Sequence, residues 1–344
     1  MSTHRPIPWN TLPGEPPLVL APMEGVTDLT FRRLVRGVGG CSMTVTEFVA
    51  GAALAGGHRI AMRAVAFDPD EHPIAIQVFG RDPDLLADGA RTAVELGADV
   101  VDLNMGCPSK KVCAHSGGSA LMKEPDLARR IVTAIRRAVD VPFTVKMRSG
   151  WDADHRNAPE LAHMCQEEGV DGLTVHWRTR TDGYGGVRDL STIARVVERV
   201  AIPVLANGDV DETNAVSTLA ETGAAGLMIG RGAIQDPWVF HRVRRALRGQ
   251  PPLVIDDADR ERVLLDYYRV VRATFDTDRG ALGRMKKIAR YFQDVPELRQ
   301  RILHSETPDE AEERVRDFFS ARRLTPADPA TILPAARTPA PAPR

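Results

Sequence analysis

The chain has 344 residues, of which 43% are hydrophobic, 5% aromatic and 26% charged, with 28 glycines and 25 prolines. That length exceeds one average domain and suits a barrel of about 250 residues carrying a smaller appended unit. The formal net charge of −1 gives the whole chain no basic character, so any nucleic-acid contact has to come from a local patch.

Residues 1–17 form a polar, Pro-rich N-terminal extension without an apolar leader segment. No stretch approaches the roughly 18 apolar residues of a membrane span, which predicts a cytoplasmic protein with no membrane contact. From residue 18 to about residue 247 short β-branched runs alternate with helical patterns. Strands are predicted at 18–20, 43–46, 74–78, 99–103, 143–146, 173–175, 204–205 and 227–229, with helices between them at 83–96, 126–138, 158–168, 190–198 and 211–221. Several of these strands are continuous apolar runs, as expected when both faces of a parallel sheet are covered. Gly97, Gly169 and Gly223 each end a helix and open the next strand, a place where a left-handed cap is needed. About eight β/α units in series favour a closed (β/α)8 TIM barrel over residues 18–248.

Past residue 248 the strands stop. Amphipathic helices are predicted at 258–275, 279–292, 296–303 and 308–322, which makes residues 256–323 an all-helical C-terminal domain. Residues 325–344 are dominated by Pro and Ala and are expected to stay disordered. The four cysteines, Cys41, Cys107, Cys113 and Cys165, contain no CxxC pair. They read as reduced thiols, not as a disulfide framework or a metal site.

In such a barrel the chemistry lies in the loops that follow the strands. Strand 1 runs into Ala21, Pro22, Met23 and Glu24, and strand 3 carries Gln77. Strand 4 runs into Asn104, Met105, Gly106, Cys107 and Pro108, strand 5 ends at Lys146, Met147 and Arg148, and strand 6 ends at His176, Trp177 and Arg178. Strand 7 yields Asn207, Gly208 and Asp209, and strand 8 yields Gly230 and Arg231. The loops after the last two strands often bind phosphate, and the glycines with Arg231 suit that use. Taken alone, Gly208 and Gly230 also read as plain turn glycines. Lys146 fits the pyrimidine edge of a flavin or, equally, a lysine snorkelling to the rim. His176 is either a second phosphate ligand or a histidine satisfied by a carbonyl. Cys107 is the sharpest signal, because its Gly-Cys-Pro turn projects a thiol at the catalytic rim; Cys41 and Cys165 read as inert packing.

Together these segments resemble the tRNA dihydrouridine synthases, most closely their bacterial B-type subgroup. The resemblance rests on Ala-Pro-Met-x-Gly-Val-Thr-Asp at 21–28, Asp-Leu-Asn-Met-Gly-Cys-Pro-Ser at 102–109 and Lys-Met-Arg-Ser-Gly-Trp at 146–151. It rests also on His-x-Arg-Thr-Arg at 176–180, Ala-Asn-Gly-Asp at 206–209 and Ile-Gly-Arg-Gly-Ala at 229–233. It implies tightly bound FMN held by Pro22, Met23, Glu24, Gln77, Lys146, His176, Asn207, Gly208, Asp209, Gly230 and Arg231. It further implies that Asn104 holds the target uracil and that Cys107 is the catalytic acid. Trp177 departs from the pattern, standing where the family usually has glycine.

The implied reaction is the NADPH-driven reduction of a D-loop uridine in tRNA to 5,6-dihydrouridine. C6 of uracil is electrophilic and C5 becomes enolate-like after hydride addition, so flavin hydride goes to C6 and the Cys107 proton to C5. No GxGxxG follows a strand, which leaves NADPH to share the flavin face. For RNA, Arg178 and Arg180 at the mouth and Lys286, Lys287 and Arg290 on a C-terminal helix suggest a phosphate-binding groove. A merely solvated charged face is the other reading of those residues. No obligate protein partner is implied. Two rivals share parts of the pattern: an FMN barrel acting on a free pyrimidine, and a non-catalytic RNA-binding barrel.

Overall fold

A computed structural model describes residues 9, 11–114, 117–289 and 295–324. Among them run nine parallel strands: β1 (Leu18–Leu20), β2 (Thr44–Val45), β3 (Val49–Ala50), β4 (Ile74–Phe79), β5 (Val100–Met105), β6 (Phe143–Arg148), β7 (Gly172–His176), β8 (Val204–Asn207) and β9 (Gly226–Ile229). They pair in the order β1-β9-β8-β7-β6-β5-β4-β2. A parallel bridge from Val19 to Met43 returns β2 to β1 and closes the ring. Both β2 and β3 pair with β4, at its start and its end, so nine segments fill the eight places of a (β/α)8 barrel. The break between β2 and β3 is the one departure from the predicted strand order, and strand periodicity alone did not show β3.

Side chains on a strand alternate between two faces, and here the alternation separates two cores. Outward residues such as Ile76, Leu103, Val145, Val175, Ala206 and Ile229 pack against the surrounding helices. Inward residues at the lower end, Val19, Met43, Ala75, Val100, Leu205 and Met228, form a separate apolar cluster. Trp9 joins that cluster from the N-terminal extension, and its indole N–H donates to the Pro203 carbonyl at 3.2 Å. The indole lies where a side chain at Gly172 would be, with Nε1 only 2.4 Å from the position of a Cβ there. A segment predicted as a polar extension therefore carries the plug of the barrel floor.

The helices Pro83–Glu95, Pro125–Ala138, Ala158–Glu167 and Ser191–Arg199 lie where the pattern placed them. The next helix is Ala215–Thr222 and starts four residues later than predicted, because Asp211 spends its carboxylate on a local turn, accepting from the N–H and hydroxyl of Thr213. Gly97, Gly169 and Gly223 have φ of 96°, 85° and 66°, as their cap positions require. The strand-free C-terminal region holds the helices Asp257–Thr274, Asp278–Ile288, Pro296–Leu303 and Pro308–Leu324. The end of the predicted 279–292 helix, with Arg290, and the Pro/Ala tail lie outside the described residues.

The motif at 21–28 joins these two regions. Asp28 caps the helix Leu29–Val38 by accepting from the Phe31 N–H, and it also pairs with Arg284 of the helix Asp278–Ile288. Arg284 further donates to the Val26 carbonyl at 2.9 Å and the Thr30 hydroxyl at 3.1 Å. Arg32 holds the same loop through the Thr27 carbonyl and makes a two-pronged buried pair with Glu71. Breaking one side of such a pair costs about 3–5 kcal/mol, since it strands a buried charge.

Candidate active site

The upper half of the barrel interior is polar. Gln77 of β4, Asp102 and Asn104 of β5 and Thr144 of β6 are all buried, and Asn207 of β8 is 5% exposed. Their strand register sets Gln77 beside Asp102, Asp102 beside Thr144, and Asn104 beside Lys146. Buried polar groups of this kind must be paired, and these are. Thr144 donates to Asp102 Oδ1 at 2.5 Å, Gln77 Nε2 donates to Asp102 Oδ2 at 2.5 Å, and Asn104 Nδ2 donates to Gln77 Oε1 at 2.8 Å.

Cys107 follows directly from this network. Asn104 Oδ1 accepts from the N–H groups of Gly106, at 3.0 Å, and Cys107, at 2.8 Å. The Gly106 carbonyl accepts from Arg148 Nε at 3.0 Å, and the Cys107 carbonyl accepts from the Ser119 N–H at 3.1 Å. The main chain on both sides of the thiol is thereby locked. Burial pushes the Cys107 thiol up, and the charge of Glu24 adds to this, against a backbone hydrogen bond at Ser109 that lowers it. The group therefore holds its proton at neutral pH, which suits an acid better than a nucleophile.

Lys146 stands one strand away. Its Nζ donates to Asn207 Oδ1 at 3.0 Å, and Asn207 in turn donates to the Met228 carbonyl at 2.8 Å. Burial, reinforced by the charge of Arg148, lowers the ammonium to about 8. A lysine free to snorkel would keep its ammonium in water, whereas half-buried Lys146 spends its Nζ on Asn207. Burial also pushes His176 well below the usual histidine value, helped by the charges of Lys146 and Arg148. Its Nδ1 accepts from the Arg178 N–H at 3.1 Å, so the neutral ring carries its proton on Nε2 as a donor.

The loops after β8 and β9 meet at Asp209, whose φ of 50° follows a Gly208 at φ 117°. Arg178 and Arg231 each bind one oxygen of the Asp209 carboxylate. Burial works to raise that carboxyl, but the Arg178 hydrogen bond and the two guanidinium charges hold it below its ordinary value. Two guanidinium groups against one carboxylate leave a positive excess beside Gly208. Gly230 lies against Ala21 and Met23, so the β1 and β9 loops are in contact. Trp177 is 1% exposed and lies under Arg178, whose guanidinium sits 4.0 Å from the ring centroid. Its pyrrole edge fills the space at Gly208, where a Cβ would come within 2.4 Å of Cδ1. The bulk at 177 is thus turned inward and matched by the absence of a side chain at 208.

Residues 19–323 match the model of the family described as "Dihydrouridine synthase (Dus)". The tRNA-dihydrouridine synthase B of Pseudomonas aeruginosa is 38% identical over 328 residues, covering 94% of this chain and 98% of that protein. The chain belongs to the dihydrouridine synthase family. Its relatives include the tRNA-dihydrouridine synthase B of Xanthomonas campestris, 38% identical over 89% of this chain and 93% of that one. A probable tRNA-dihydrouridine synthase of Rhodobacter capsulatus is 36% identical over 92% of this chain and 98% of its own. Among solved structures, morphinone reductase aligns with a TM-score of 0.49 at 14% identity, over 75% of this chain and 94% of that one.

On this dihydrouridine synthase the predicted positions fall into three groups. Cys107, Asn104, Gln77, Lys146, His176 and Asn207 come together at the upper end of the barrel; Pro22 and Met23 are half-buried and Glu24 is exposed on the adjoining β1 loop. Gly208, Asp209, Gly230 and Arg231 form the second group. The residues predicted to face RNA divide. Arg178 is 4% exposed and committed to Asp209 and to the Gly185 carbonyl, so it is not a free cation at the mouth. Its stacking on Trp177 draws it inward. Arg180 is half-buried and stacks 4.8 Å from the Trp151 ring centroid, with Lys123 4.7 Å from the same ring. Lys287 reaches the Gly25 carbonyl, Lys286 is half-buried, and Arg290 lies outside the described residues.

Sequence reasoning missed Asp102 and Thr144, and it placed Arg148 at a strand end without giving it a role. Arg148 is 5% exposed and, besides Gly106, holds the Thr179 and Gly183 carbonyls at 2.6 and 3.1 Å. The signal was present: a charged residue inside an apolar strand, the argument applied to Lys146, applies equally to Asp102 and Arg148. Among the described residues no group of three or more His, Cys, Asp or Glu side chains could hold a metal ion, and no helix is long and apolar enough to cross a membrane.

Proposed function

We propose that the protein is an FMN-dependent, NADPH-driven tRNA dihydrouridine synthase that reduces a D-loop uridine to 5,6-dihydrouridine. The observation that carries this reading is the Cys107 thiol, kept protonated by burial and clamped through its own main chain by Asn104 and Arg148. A thiol so held is an acid with a fixed direction.

The residues present fit FMN. The positive excess of Arg178 and Arg231 over Asp209, beside Gly208, Gly230 and the Nε2–H of His176, matches a phosphate. Lys146, poised near 8, can donate to an electron-rich ring edge. Pro22, Met23, Glu24, Gln77 and Asn207 complete the proposed set. When bound, FMN supplies the hydride equivalent for C6 of the uracil. Cys107 holds the proton at Sγ for C5, and Asn104 orients the base. With no separate dinucleotide motif in the sequence, NADPH reaches the same face before RNA does, which gives ping-pong kinetics. Trp151 with its two stacked cations, Arg180 and Lys123, offers an aromatic and basic lip for an extruded nucleotide. Residues 256–323, with Lys286 and Lys287, form the proposed tRNA-binding unit, and a tRNA substrate places the work in the cytoplasm.

The test is to purify the protein, record its flavin spectrum and assay NADPH-dependent dihydrouridine in unmodified tRNA. Cys107→Ala is expected to retain the yellow colour and to lose about 10²–10⁴-fold in product formation, the range of a general acid. Product at near wild-type rate from that variant would remove the acid assignment. A colourless protein that cannot take up FMN would remove the cofactor.

A further inference from the structure

We propose that Asp102 is a positioning residue which, through Gln77, sets the orientation of the Asn104 amide and so the placement of the Cys107 loop. The inference rests on the reading of Cys107 as the proton donor. It concerns a buried side chain whose two oxygens accept from Gln77 and Thr144.

Each hydrogen bond in the relay has a fixed direction. An asparagine or glutamine amide offers an acceptor oxygen and a donor nitrogen that are nearly alike in shape, so only partners decide which way it turns. At one end of this relay the Gly106 and Cys107 N–H groups can only donate, which forces Asn104 Oδ1 toward the loop. At the other end the Asp102 carboxylate can only accept, which forces Gln77 Nε2 toward it. Between them Asn104 Nδ2 meets Gln77 Oε1 at 2.8 Å, the one arrangement in which both amides agree. Thr144 completes the acceptor end by donating to the other carboxylate oxygen. Every member is buried: Gln77 and Thr144 are 0% and 1% exposed, Asp102 4% and Asn104 5%. Reversing one amide would set donor against donor in a water-poor interior, so the relay has a single stable polarity. Although burial lifts the Asp102 carboxyl to about 6, the group is mostly ionised, and so an acceptor, at neutral pH.

A consequence for the substrate follows. Asn104 Oδ1 already accepts two N–H groups, while Nδ2 has given one of its two hydrogens to Gln77. What Asn104 offers a base is an N–H. It therefore meets a pyrimidine through a carbonyl and not through a ring N–H. Donation to the carbonyl conjugated with C5=C6 would also draw charge from the bond being reduced.

The test uses the FMN-containing protein and the rate at which iodoacetamide labels Cys107, read by peptide mass spectrometry, with thermal melting as control. Asp102→Leu keeps bulk but removes the acceptor; it is expected to speed labelling about threefold or more as the loop loosens, and to lower kcat on tRNA more than it raises KM. Asp102→Asn still presents an oxygen to Gln77, with its amide N–H satisfied by the Thr144 oxygen. It is expected to label Cys107 within about twofold of the wild type. A folded Asp102→Leu protein with unchanged labelling overturns the proposal. So does Asp102→Asn loosening Cys107 threefold or more, because charge and not hydrogen-bond direction would then govern the loop; this arm decides even where the leucine variant does not fold. Labelling needs neither tRNA nor NADPH. A wild-type enzyme that forms no dihydrouridine therefore defeats the functional reading while leaving the relay to be judged on its own.

Discussion

The barrel interior is two regions laid along the same strands. In the lower half Val19, Met43, Ala75, Val100, Leu205 and Met228 close around Trp9, and the interior is apolar. One pleat higher on those strands stand Gln77, Asp102 and Asn207, with Asn104 and Lys146 nearby, and nearly every polar atom has a named partner. Two residues of rise separate packing from chemistry. The lower half is held by shape, where lost volume does the damage; the upper is held by direction, where one reversed amide propagates. The lesson is that stability and reactivity are divided by height in the barrel, not by strand.

That division is broken hardest from below. Trp9→Ala removes a side chain that is 2% exposed, together with its hydrogen bond to Pro203. A loss of about 3–5 kcal/mol in unfolding free energy is expected, the usual cost of emptying a buried aromatic site. Urea denaturation measures it. FMN affinity and Cys107 labelling should not move in the folded variant; if they do, the two halves are not independent.

The upper half is sharpened by Arg231→Ala. Arg231 shares Asp209 with Arg178, and the phosphate reading predicts that its loss weakens FMN about 10–100-fold while riboflavin, which lacks the phosphate, changes by less than about twofold. Titration of apoprotein with both flavins separates the cases. An equal fall for both would place Arg231 elsewhere on the cofactor or make it merely structural.

The upper half was the more legible of the two in the sequence. Reactive residues sit at strand ends, so reading the residue just past each predicted strand recovers Cys107, Asn104, Lys146, His176, Asn207 and Arg231 without knowing the fold in detail. Trp9 was not legible, because nothing local marks an aromatic in a Pro-rich segment as the plug of a barrel whose floor is built by residues up to Met228. Arg178 was misplaced for a related reason. A guanidinium after a strand looks solvent-facing until Trp177 beneath it and Asp209 beside it are known, and both contacts come from the tertiary fold. Arg284, on the same helix as Lys286 and Lys287, is likewise already used, docking that helix onto Asp28 across 256 residues of sequence. Periodicity reports which face is apolar; it does not report which cation is already spent.

The smallest effect expected is a difference in pH slope at Lys146. Its folded ammonium lies near 8 against an ordinary value of 10.5. Between those two values the unfolded chain binds more protons than the folded one, so this residue makes stability rise with pH across that window. The penalty of burying the charge is fully present below about pH 8 and gone above about pH 10.5. Several other groups pull the opposite way from about pH 9 upward. Burial lifts Cys41 to about 11 and Cys165 and Tyr267 to about 12, so the folded state keeps protons that the unfolded state sheds. The wild-type slope alone is therefore uninformative. The difference between wild type and Lys146→Met cancels Cys41, Cys165 and Tyr267, none of which feels the charge of Lys146. With FMN stripped from each, the wild type should gain on the order of 1–2 kcal/mol relative to Lys146→Met between pH 7.5 and pH 10. Parallel stability curves over that range would mean that Lys146 reaches water after all. The polar half of the barrel would then be wetter at β6 than the hydrogen bond to Asn207 implies.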